Sequence, residues 1–171
     1  MPPRNVVLIG FSGSGKSAVA AVLAGRLGYV AVDTDAIVER DAGRTVASIF
    51  ERDGEAAFRD REAAAVMDAV AGERRVIACG GGAILQLRNV ASLQSAGTIV
   101  YLRTSPATIL ARLGAASDRP LLKRDPETDV PVLLAARAPA YESAADVIVD
   151  TDGRTPDEIA DHIESLLKEQ E

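Results

Sequence analysis

The residues with the clearest chemical purpose lie near the N-terminus. Gly10-Phe11-Ser12-Gly13-Ser14-Gly15-Lys16-Ser17 fits the pattern G-x-x-x-x-G-K-[ST]. With 14 glycines and three lysines in 171 residues, residue frequencies give such a match somewhere in the chain about 0.2% of the time. Glycines at those spacings let successive backbone N–H groups turn toward phosphate oxygens, and a helix N-terminus behind them adds partial positive charge. Lys16 can then reach the β- and γ-phosphates, and the Ser17 hydroxyl can coordinate magnesium. A second reading takes Gly13-x-Gly15-x-x-Ala18, with Asp33 about 20 residues on, as a dinucleotide fingerprint. It sets the first glycine three residues too far from the preceding strand and leaves Lys16 and Ser17 without a role. The nearest approach to a guanine-reading motif, Leu122-Lys123-Arg124-Asp125, has leucine where an amide is needed. A GTP switch is disfavoured.

Other groups with chemical potential follow along the chain. Asp33-Thr34-Asp35 pairs a carboxylate able to hold a magnesium-bound water with one able to accept hydrogen bonds from substrate hydroxyls; a helix cap on residues from Ala36 is the structural alternative. Phe58-Arg59-Asp60-Arg61-Glu62 sets Arg59 and Glu62 three apart on one helix face, the spacing of an ordinary ion pair. Gly80-Gly81-Gly82 allows a ligand to come close to backbone N–H groups, or simply makes a turn. Arg119-Pro120-Leu121-Leu122 and Arg137-Ala138-Pro139-Ala140-Tyr141 add two arginines suited to two-pronged recognition of carboxylate or phosphate.

Such residues need a scaffold. Short apolar runs alternate with longer helical patterns, as in βαβ units around a parallel sheet. Strands are expected at Asn5–Ile9, Tyr29–Val32, Arg75–Cys79, Thr98–Leu102 and Asp146–Val149. Helices are expected from the glycine-rich loop to about Leu27, over Thr45–Glu51 and Glu55–Ala71, from Pro106 (capped by Ser105) to Leu113, near Val130–Ala138 and from Thr155 onward. Residues 114–129 mix glycine, serine, proline and charge without periodicity. A structureless connection of that length is commonly a functional lid. The expectation is one three-layer α/β/α domain over residues 1–171, with five parallel strands between helices.

Composition narrows the function classes. Apolar residues make up 47% and charged residues 26%, close to globular averages, which excludes disorder and coiled coil. The formal charge of −6 argues against non-specific nucleic-acid or anionic-membrane binding. One cysteine, Cys79, and one histidine, His162, allow neither an intrachain disulfide nor a zinc cluster. The apolar run Val6–Phe11 is too short for a signal-peptide core. These features point to a soluble protein of a reducing compartment, expected in the cytoplasm.

Taken in order, the motifs resemble the shikimate kinase family from Val6 to about Ile163. The Gly10–Ser17 loop alone is also similar to that of gluconate kinases, so the later motifs carry the resemblance. It implies ATP-dependent phosphorylation of the 3-hydroxyl of shikimate on the route to chorismate and aromatic amino acids, by a monomeric P-loop kinase with strand order 2-3-1-4-5. It implies a shikimate-binding segment at about residues 34–62 and a lid at about 114–127. Gly13, Ser14, Gly15, Lys16, Ser17 and Ala18 would bind ATP. Arg112, and Arg154 with Pro156, would flank its adenine. Asp35, Arg59, Gly81, Gly82 and Arg137 would bind shikimate, and Ser17, with Asp33 through water, would hold Mg²⁺. Lys16, Asp35 and Arg119 would be catalytic, Arg119 closing over the transferred phosphoryl group. Cys79 departs from the family pattern, which often has serine or threonine there; the residue type itself suits a small apolar packing role.

Overall fold

The computed structural model describes residues 2–113 and 125–170. Five parallel strands form one sheet in the order β2-β3-β1-β4-β5, with β1 at Asn5–Ile9, β2 at Val30–Asp33, β3 at Arg75–Ala78, β4 at Thr98–Arg103 and β5 at Val147–Asp150. The helices are α1 (Lys16–Leu27), α2 (Thr34–Ala42), α3 (Val46–Asp53), α4 (Glu55–Val70), α5 (Leu87–Ala96), α6 (Pro106–Leu113), α7 (Pro126–Ala144) and α8 (Pro156–Glu169). The architecture and strand order agree with expectation.

Val6, Val7, Leu8 and Ile9 of β1 are all buried, as expected of a central strand covered on both faces. Alternate side chains feed two separate cores. Val7 and Ile9 join Ile77, Ile99 and Tyr101 beneath Phe58 and Val66 of α4 and Tyr141 of α7. Val6 and Leu8 join Val76, Val100 and Leu102 against Val19 and Leu23 of α1 and Ile159 and Ile163 of α8. All strands run the same way, so the loops at their C-terminal ends gather at one edge, where such sheets bind ligands.

Three elements differ from expectation. Residue 34, not 36, begins α2, because the Asp33 side chain accepts from the N–H groups of both Asp35 and Ala36. A helix absent from the sequence reading, α5, follows a 3-10 turn at Ala83–Leu85; its buried Asn89, Leu93 and Ala96 keep helical spacing. Finally, α7 begins at Pro126 under an Asp125 cap and runs through Pro139 to Ala144. Residues 126–129 are therefore helical, and the rest of the expected lid, 114–124, lies outside the described residues together with Arg119. Proline breaks helices by removing an N–H and crowding the preceding turn. Here the stacking of Tyr141 on Tyr101, with ring centroids 5.0 Å apart, anchors the helix beyond Pro139. Among the described residues, no helix is long and apolar enough to cross a membrane.

Asn5 secures the opposite edge of the sheet. Its buried side chain donates to the carbonyls of Gly72 and Ala96 and accepts from the N–H of Arg75, tying the turns that lead into β3 and β4. Asn5→Ala is expected to lower stability by about 2–3 kcal/mol, measured by urea unfolding.

Candidate active site

The loop after β1 wraps around its own lysine. The ammonium of Lys16 donates to the carbonyls of Gly10 (2.8 Å) and Phe11 (2.9 Å) and to Ser14 Oγ (3.3 Å). Gly15, at φ 90°, is the N-cap of α1. A side chain there would be strained, and glycine brings none to occupy the first-turn N–H groups, which remain suited to an anion.

Asp33 joins two helix starts. Its Oδ1 caps α2, while Oδ2 accepts a 2.6 Å hydrogen bond from Ser17 Oγ on α1. The cap thus uses one oxygen of the carboxylate, and the other is bonded to Ser17. Hydroxyl and carboxylate are hard oxygen donors that suit a small divalent cation able to take its other ligands from water and phosphate. Next along the chain, buried Thr34 accepts from the Gly80 N–H at 2.9 Å, fixing the end of β2 to the end of β3. Lys16, Ser17, Ala18, Asp33 and Asp35 line a cavity of about 220 Å³ with Ser12, Gly13, Gly15, Cys79, Gly80 and Gly81.

The glycine run is the floor on which charged side chains meet. A Cβ on Gly80 would lie 2.7 Å from Asp35 Oδ1 and 2.8 Å from Glu62 Oε2. One on Gly82 would lie 2.5 Å from Arg59 Nη1. A side chain at either position would have to push those carboxylate or guanidinium ends aside, so glycine here keeps the charged groups close to the backbone. Arg59 donates to Glu62 at 2.8 Å. Arg137 is buried, its guanidinium 5.6 Å from the Phe11 ring centroid and near Gly81. Tyr141, one turn beyond Arg137, donates a 2.5 Å hydrogen bond to the Gly81 carbonyl. Two acids and two arginines therefore surround three glycines beside the phosphate loop.

Glu62 is only 1% exposed. Burial raises its pKa, with the Asp35 charge adding to the rise; the guanidiniums of Arg59 and Arg137 oppose it. Burial likewise pushes the Cys79 thiol up to about 12, against the pull of Lys16. Cys79 sits inside the core and is a neutral packing group. His162 is exposed on α8.

Not every anticipated residue gathers at this floor. Arg112 Nη1 donates to the Gly13 carbonyl at 3.3 Å and would lie 3.5 Å from a Cβ on Gly15, so it sits against the loop and away from the glycine run. Exposed Arg154 lies in the turn before Pro156. That turn is held to the end of β4 by the buried Thr104–Thr151 pair and by the Ser105 N–H donating to Asp152. Thr34, Glu62, Ser12 and Tyr141 are structural members of the site that the sequence reading left without a role in it. All four stood within the quoted motifs, as spacer or partner residues.

The profile of the shikimate kinase family matches residues 12–168. Similar relatives include the shikimate kinase of Symbiobacterium thermophilum, 46% identical over 169 residues and covering 97% of each chain. That of Moorella thermoacetica is 43% identical over 166 residues, covering 97% of this chain and 95% of the relative. The solved structure of shikimate kinase from Acinetobacter baumannii in complex with shikimate superposes with a TM-score of 0.96 at 35% identity, covering 100% of this chain and 95% of that one. A sugar kinase from Janibacter reaches a TM-score of 0.65 at 19% identity, a likeness of fold alone.

The raised pKa of Glu62 has a signed consequence. The native carboxyl keeps its proton to higher pH than the unfolded one, so its contribution to stability is complete below the ordinary value of 4.5 and is lost as pH rises through the raised value. Glu62→Gln lacks this loss. The stability difference between variant and parent should therefore shift in favour of the variant between pH 4.5 and neutrality. Urea unfolding across that range reads it; parallel pH profiles for the two proteins would contradict the assignment.

Proposed function

The chain belongs to the shikimate kinase family, and on that premise we propose that it transfers the terminal phosphoryl group of ATP to the 3-hydroxyl of shikimate. The products are shikimate 3-phosphate and ADP, on the route to chorismate and the aromatic amino acids. One observation carries the reading to this chain's own residues: the phosphate loop and two arginines meet at the same glycine run, with Asp35 between them.

Each role follows from chemistry. Gly13 to Ala18 cradle the triphosphate through backbone N–H groups, and Lys16 supplies positive charge to it. Arg59 and Arg137 hold the acceptor's carboxylate through bidentate, charge-assisted bonds, and the backbone at Gly81 and Gly82 lies against its ring. Asp35 orients the hydroxyls and accepts the proton of the attacking one. Phosphoryl transfer runs through a loose transition state, so alignment and charge stabilisation supply most of the rate. Ser17, and Asp33 through water, are the residues to hold Mg²⁺, which when bound offsets phosphate charge. Arg119, in the segment 114–127, would close over the phosphoryl group and exclude water. Residues 34–62 form the acceptor side, and Arg112, Arg154 and Pro156 flank adenine. The enzyme works as a cytoplasmic monomer in a single domain.

ADP release should depend on both shikimate and Mg²⁺ in a coupled assay, with gluconate as the control acceptor. Equal ATP consumption with and without shikimate would refute the function. Lys16→Met is expected to lower kcat by about 10²–10³-fold or more. Arg59→Lys is expected to raise KM for shikimate about tenfold while leaving KM for ATP unchanged, because a point charge cannot reproduce the planar fork; an unchanged shikimate KM would remove Arg59 from the acceptor site.

A further inference from the structure

Tyr141 is fully buried, yet its hydroxyl reaches the floor of the site rather than the core, donating to the Gly81 carbonyl at 2.5 Å. Glycine peptide planes turn at little cost, so a run of three needs an external tether to hold one orientation. In a trans peptide the carbonyl and the following N–H point in opposite directions. A donor on the Gly81 carbonyl therefore also sets the direction of the Gly82 N–H. Tyr141 lies four residues after Arg137, on the same face of α7. Between them Pro139 has no N–H to give the Ala135 carbonyl, so this turn of helix lacks a rung. The Tyr141 hydroxyl and its stack on Tyr101 secure the turn instead. Burial pushes the phenol up to about 12, so it remains a donor at neutral pH.

We propose that Tyr141 is a positioning residue for the acceptor: through the Gly81 carbonyl its hydroxyl locks the Gly81–Gly82 peptide plane and the Arg137 turn into one unit. This rests on the acceptor role assigned to Arg137 and the glycine run. Tyr141→Phe keeps the ring and its stack but removes the donor. The expected result is a rise of about five- to tenfold in KM for shikimate, with kcat and KM for ATP close to the parent's when assayed well below a thermal midpoint lowered by a few degrees. Tyr101→Phe, which removes a hydroxyl not bonded to Gly81, should leave all four unchanged. A parent-like shikimate KM in Tyr141→Phe, while Arg59→Lys still weakens the acceptor, overturns the inference and leaves the function standing. Equal rises in both Michaelis constants, or a shikimate effect that disappears below the variant's melting range, assign the hydroxyl to general stability and also overturn it. A parent enzyme without shikimate-dependent ADP release overturns the function and the inference together.

Discussion

Asp33 divides one carboxylate between two helices, and the geometry of the site depends on that division. One oxygen caps α2 and so fixes where Asp35 begins its turn; the other holds Ser17 at the start of α1. Because Thr34, between the two acids, is bonded to Gly80, the start of α1 and the ends of β2 and β3 are joined through two consecutive residues. The loop side and the glycine-run side of the cavity thereby keep a common reference frame. Phosphoryl transfer between two bound molecules gains most of its advantage from such alignment.

The second constraint is charge. Asp35, Glu62, Arg59 and Arg137 meet around backbone with no side chains of its own. Their formal charges cancel, which makes it possible to gather four ionisable groups where water is scarce. Glu62 carries the greatest desolvation, and the Arg59 guanidinium 2.8 Å away is its nearest compensation. An arginine held in this way is oriented before any ligand arrives, so less side-chain freedom is lost on binding.

Much of this was legible in the amino-acid order. The Gly10–Ser17 loop was readable because nearly every residue in it answers a local demand of backbone shape or phosphate charge. The five strands were readable from short apolar runs, although strand order came from family resemblance rather than from the runs themselves. Glu62 was harder: three-residue spacing reports a pair with Arg59 but not that this face of α4 points inward, since burial depends on β3 and the glycine run far along the chain. Tyr141 was hidden for a similar reason. The expected helix stops at Ala138, before Pro139, and contacts with other elements, the Tyr101 ring and the Gly81 carbonyl, hold it past that point. For Asp33 the cap reading holds for one oxygen, while the other bonds Ser17, a contact that no local pattern announces. The helix α5 went unread because its stripe is irregular: Leu87 is exposed, a buried place falls to Asn89, and the segment follows a glycine-rich turn.

The sheet order also bears on how the polypeptide emerges from the ribosome. The middle strand, Val6 to Ile9, is made before either of its neighbours, and β2, the next strand produced, does not touch it. Its partners await Arg75–Ala78 and Thr98–Arg103. At synthesis rates of about 5–20 residues per second, the nascent segment spends on the order of 4–14 s without the first of them. An all-apolar stretch left unpaired for that long is a natural client for chaperones that shield growing chains.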